Sequence, residues 1–133
     1  MNPTSIPSGL RVELSRQRLL PGADAEADAW MTMLNERSEE CVATLEREQM
    51  ALEIVFRRED DDGEWLYWVQ VRGEGGAEEL DESVPIDRDH LAFAKRSKEP
   101  GWHEAKPQFL LASPPVREAL LAAAGAADSE PHR

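Results

Sequence analysis

Apolar and polar residues alternate with a period of two through Met50, Leu52, Ile54 and Phe56, set against Ala51, Glu53, Val55 and Arg57. That is the pattern of a half-buried strand. A polar run with an Asp-Gly turn signal follows: Glu59, Asp60, Asp61, Asp62, Gly63, Glu64. Trp65, Tyr67, Val69 and Val71 then alternate with Leu66, Trp68, Gln70 and Arg72, which predicts the returning strand of a β-hairpin. Residues 10–20 predict an earlier strand, with Val12 and Leu14 on one face and Arg11, Glu13 and Ser15 on the other, ended by Pro21-Gly22. Residues 102–112 predict a weaker one, held to an edge or a bulge because Pro107 has no N–H to donate.

Between the strands the period changes to helical. Asp24 suits an N-cap, with Glu26 and Asp28 in the first turn, and Trp30, Met33, Leu34, Cys41 and Leu45 form one apolar stripe to about Arg47. Arg37 and Ser38 fill a gap in that stripe. A second helix begins at Asp87 as N-cap, with Ile86 and Leu91 at the spacing of a hydrophobic staple, and stops before Pro100-Gly101. Residues 73–83 read as an acidic, Gly-rich connector with a short helical turn over 77–82, and residues 114–124 as a short closing helix. Residues 1–8 and 125–133 read as flexible tails around a single domain over 9–124. The order strand, helix, strand, strand, helix, strand is that of an α+β, ferredoxin-like βαββαβ domain, a four-stranded antiparallel sheet with its helices on one face. The other face is expected to carry Val55, Leu66 and Trp68 among Glu53, Gln70 and Arg72. Such a face is too apolar to stay wet, and a C2 homodimer would bury it and enclose a mixed cavity between the sheets.

Composition narrows the partners. Within 133 residues, 27 acidic against 15 basic side chains give a formal net charge of -12, a field that repels nucleic acid and anionic membrane surfaces. Cys41 stands alone, so neither an internal disulfide nor a Cys-based zinc cluster can form. No signal-peptide pattern opens the chain and no apolar run approaches the length of a bilayer, so the cytoplasm is the expected location. The preference for Arg over Lys and the abundance of Ala point to a GC-rich bacterial genome.

Several residues are candidates for chemistry. His90, in the first turn of the second helix and three residues before Phe93, is placed to act as an acid/base or to bind a ligand carbonyl. Arg37 suits an anionic anchor or an ion pair with Glu40 on the same helix. Glu53, Trp68 and Gln70 are expected to line the cavity, Trp68 as an aromatic wall for a planar ligand. Asp87, His90 and His103 are the one set that suggests a metal, without a supporting His or Cys pair, and no metal is expected. Cys41 on an apolar stripe reads as an inert core residue. The glycines at Gly73 sit among carboxylates that would repel phosphate, and no cofactor is expected.

An ordered set of residues resembles a family of small uncharacterised bacterial proteins, a domain of unknown function. It comprises Leu20-Pro21-Gly22, Trp30, Leu34-Asn35, Arg37, Glu40, Thr44-Leu45 and Glu48. It continues through Glu53, Phe56, Leu66-Tyr67-Trp68, Ile86-Asp87, His90 and Phe93. The resemblance implies a ferredoxin-like fold of the dimeric α/β-barrel type, a shape shared by small monooxygenases, sugar mutarotases and stress-response barrels, whose activities differ. The chain departs from the pattern in its Gly-rich connector and at Gln49-Met50, where the resemblance implies a Gly-Val turn. Three functions follow as expectations: a homodimer binding a small, partly apolar molecule between its sheets; a cofactor-free oxygenase or isomerase with His90 as acid/base; or a non-catalytic interaction module whose sheet face is packed solid.

Overall fold

The computed structural model describes residues 2–126. Along them run β1 (Leu10–Arg18), α1 (Asp24–Glu36), α2 (Ser38–Glu48), β2 (Met50–Asp60), β3 (Gly63–Gly73), α3 (Pro85–Ser97), β4 (His103–Ala105) and α4 (Pro114–Ala123). The four strands make one antiparallel sheet in the order β2-β3-β1-β4. The fold is α+β, as expected.

The single helix expected over 24–47 is two. Arg37, with φ -110° and ψ 31°, leaves the helical region and separates α1 from α2. Its guanidinium pairs with Glu40 and with Asp89 of α3, both at 2.6 Å, so the residue that interrupts the apolar stripe is also the joint between helices. α3 begins earlier than Asp87 suggests, because Pro85 occupies the first helical position, where its missing N–H costs nothing. No helical turn forms in the connector. The last strand is cut to three residues, and residues 106–113 form no regular structure.

Two clusters form the core, one on each face of the sheet. Beneath α1 and α3, Trp30 and Ala27 pack on Leu19, Leu66 and Trp68, with Val55, Phe93 and Ala94 around them. On the opposite face, Leu121 and Ala124 of α4 pack on Leu10 and Val71, joined by Ile6 and Ala126. Ile6 therefore belongs to the core, and the Ser5 hydroxyl accepts from the Leu110 N–H at 3.0 Å, so the first residues are anchored where a loose tail was expected. From residue 127 onward the expected C-terminal tail lies outside the described residues.

This arrangement reverses the expected faces of the sheet. Leu66 and Trp68 face the helices, and Glu53, Val55, Gln70 and Arg72 lie on the same side. The open face carries Leu14, Ile54 and Phe56, which are 40%, 44% and 55% exposed, with Tyr67 and Val69 between them. Alternation could not decide this, since β3 presents a tryptophan on each side. The neighbours do: the Arg16 and Arg18 guanidiniums lie over the Trp65 ring, 3.8 and 4.4 Å from its centroid, and shield it without a helix.

Close backbone approaches hold the connector in place. A Cβ at Gly76 would fall 2.0 Å from the Glu48 carbonyl oxygen at the end of α2. Gln49 is left-handed, with φ 51°, at the position where the resemblance implies glycine; its side-chain oxygen accepts from the Gly75 N–H at 3.0 Å.

Candidate functional site

An open cleft of about 1360 Å³ runs between the helices and the sheet and on past the sheet edge to Leu14, Ile54 and Trp102. Its floor is the helix-facing side of the sheet, read in rows across three strands. Glu53, Gln70 and Glu13 make one row, Val55, Trp68 and Ser15 the next, and Leu66 and Gln17 the one after. Its roof is Trp30 and Leu34 of α1, Cys41 and Leu45 of α2, and Asp87, His90 and Leu91 of α3.

Aromatic rings occupy the middle. Trp30 and Trp68 have centroids 5.7 Å apart, and His90 sits 5.2 Å from Trp30 and 5.6 Å from Trp68, edge-on to the latter. The Trp30 indole N–H donates to His90 Nδ1 at 3.0 Å. That bond needs a lone pair on Nδ1, and so selects the tautomer with its proton on Nε2. Burial holds the ring neutral, pulling its pKa down from 6.5 to about 4, against an opposing pull from Asp87 and with a small further lowering from Lys98. At neutral pH His90 thus presents an Nε2–H, a donor without a partner among the described residues.

Two further polar groups face the cleft unsatisfied. Gln17 is only 1% exposed and neither atom of its amide is hydrogen-bonded; Trp68 is 4% exposed and its Nε1–H has no acceptor. Buried polar groups are normally paired, because an unmet donor or acceptor costs about 1–3 kcal/mol.

Carboxylates gather at one end. Arg72 and Arg11 each bridge Glu13 and Glu78, at 2.6–3.0 Å, a closed set of two cations and two anions. Asp87, buried, takes the Arg47 guanidinium at 2.8 Å and the Asp81 N–H at 2.9 Å. Glu53 accepts from the Gln70 amide and is drawn by the charge of Arg72, and Glu48 lies 3.9 Å from the Arg47 guanidinium. Glu53 is exposed to solvent at the mouth of the cleft, and Glu48 is half-buried. Burial raises the pKa of each, and for Glu48 the neighbouring Glu53 raises it further.

A protein-family model matches residues 10–118, from the first residue of β1 into α4, and is described as a family of unknown function, DUF6176. The chain belongs to the DUF6176 family. No curated protein and no solved structure matches it. The matched span contains every residue named in the cleft.

Of the candidates read from the DUF6176 chain's sequence, Glu53, Trp68, Gln70 and His90 come together in this one cleft, under the helices rather than between two sheets. Arg37 stands apart from it, as the joint between helices. His103 packs edge-on to Trp65 across the sheet, 5.4 Å between centroids, so Asp87, His90 and His103 are not brought together. Among the described residues no group of three or more His, Cys, Asp or Glu side chains could hold a metal ion, and no helix is long and apolar enough to cross a membrane. Cys41 lines the cleft half-buried, its thiol pushed up by burial. Gln17 escaped the sequence reading. Its signal is that it continues the Glu13 and Ser15 face of β1, which turns inward once the sheet's faces are reversed.

Proposed function

We propose that the chain binds a small, partly apolar molecule in the cleft between its helices and its sheet. The observation that carries this is the pair of buried, unsatisfied groups on the cleft wall, the Gln17 amide and the Trp68 indole N–H, beside His90, whose Nδ1 is taken by Trp30. A ligand with oxygen acceptors on a planar body would satisfy these donors while lying beside the Trp68 ring. His90, neutral and with Nδ1 already engaged, takes a donor's part and orients the ligand.

The assembly we propose is a ferredoxin-like homodimer of the dimeric α/β-barrel type, in the cytoplasm. The order β2-β3-β1-β4, with α1–α2 and α3 on one face, supports the ferredoxin-like reading. The exposed Leu14, Ile54 and Phe56 support burial of the open face against a second copy. Phe109 and Leu111, exposed on the irregular segment after β4, add apolar surface that an isolated chain leaves wet. The lone Cys41 suits a reducing compartment.

Native mass spectrometry of tag-free protein, with Gln17→Leu beside it, tests the cleft. The wild type is expected to carry a noncovalent mass that denaturation releases. The variant is expected to lose that mass and yet be more stable to denaturant, by about 1–2 kcal/mol, because an unpaired amide has left the interior. A bare wild-type mass, or an adduct retained in the variant, counts against the proposal.

A further inference from the structure

We infer that the occupant of the cleft is an organic cation, an amine whose ammonium lies between Glu48 and Glu53 while its planar body reaches the Trp68 indole. The inference rests on the cleft being a binding site. It starts from the distribution of charge around the cleft. Arg11 and Arg72 are consumed by Glu13 and Glu78, and Asp87 by Arg47. The exposed Glu104 and Lys106 on the rim carry opposite signs. Glu48 and Glu53 remain without a close ion pair, with the charge of Arg72 felt by both. Neither has a guanidinium or ammonium within ordinary hydrogen-bond distance, and the carbonyl end of α2 adds partial negative charge beside Glu48. Lys98 also lines the cleft, at its His90 end, and its backbone pairs with Leu19, six residues along β1 from Glu13 and its row.

The unpartnered Trp68 Nε1–H makes this more than an acidic patch. Glu53 and Val55 are two residues apart on one face of β2, and Val55 pairs with Trp68. The acidic row and the indole row are therefore roughly 7 Å apart along the floor. A molecule with an ammonium at one end and an oxygen acceptor on an aromatic ring at the other spans that interval. Aligned with the rows, it meets both unsatisfied chemistries at once.

Calorimetric titration of the full chain with three probes of one shape tests this: tyramine, its neutral counterpart tyrosol, and anionic para-hydroxyphenylacetate. Tyramine is expected to bind at least tenfold more tightly than tyrosol, with the carboxylate weakest. In the Glu48→Gln, Glu53→Gln double variant, tyramine should fall to the affinity of tyrosol, and tyrosol should be unaffected. Removing these two carboxylates, which no close cation pairs, is not expected to lower the melting temperature; Glu53→Gln alone serves should the double variant fail to fold. Equal or tighter binding of tyrosol or the carboxylate overturns the cation assignment and leaves the cleft standing as a site. A tyramine preference that survives both substitutions overturns the assigned residues. Silence from all three probes removes the cleft as a site for such molecules, and the inference with it.

Discussion

A single hydrogen bond sets the character of His90. Trp30 occupies its Nδ1, and the surrounding apolar wall makes its protonation unfavourable. A histidine whose folded-state pKa lies below its unfolded one binds fewer protons when folded. Its stabilising contribution is fully present above about 6.5 and is lost as pH falls through the window down to about 4. The loss from this group should be on the order of 3 kcal/mol once pH is below that window. Glu48 and Glu53 act in the opposite sense, since their raised values mean that protonation on acidification relieves a burial cost. Denaturant midpoints at pH 7, 5.5 and 4.5 should therefore fall more steeply for the wild type than for His90→Gln. Parallel curves would show that His90 is not the titrating group. The residue's place in the first turn of a helix, bordering an apolar face, was legible in the sequence. Its tautomer was not, because the partner that fixes it is sixty residues away in the chain.

At the scale of elements, local signals predicted most of what forms, and they failed where distant groups decide. The hairpin was legible because its alternation and its Asp-Gly turn agree. The break at Arg37 was not, because nothing local forbids helix there; the guanidinium reaches Asp89 on another helix. β4 shortens because Pro107 and the exposed segment after it find no strand to pair with. The connector shows the converse, a segment whose composition reads as slack but whose path is fixed. Gly76 passes against the end of α2, and the Ala77 N–H donates to the Arg47 carbonyl at 3.1 Å. Gly76→Ala would drive a methyl group into the Glu48 carbonyl, and we expect a loss of about 2 kcal/mol or more by denaturant unfolding. The same change at Gly22, where a Cβ meets nothing within 4 Å, should cost only the strain of its positive φ, about 1 kcal/mol.

For the molecule as a whole, the reversed sheet changes which residues carry which role. The open face belongs to Leu14, Ile54 and Phe56, and Trp68 belongs to the cleft. Phe56→Glu, exposed in the monomer, should leave the fold intact and shift the protein to monomer in native mass spectrometry and light scattering; a dimer that persists would place the contact elsewhere. Trp68→Phe should leave assembly untouched, which separates the two faces experimentally. The cleft also bears on how long the protein lasts in a cell. The cleft leaves open space between helices and sheet, and the ligand proposed for it would fill that space. A ligand at a hundred times its dissociation constant adds about 2.7 kcal/mol to folding. Differences of that size alter how often a chain opens to proteases, and can change its abundance several-fold. The amount of this protein would then follow the amount of its ligand, with supply of the small molecule setting the half-life of the chain that holds it.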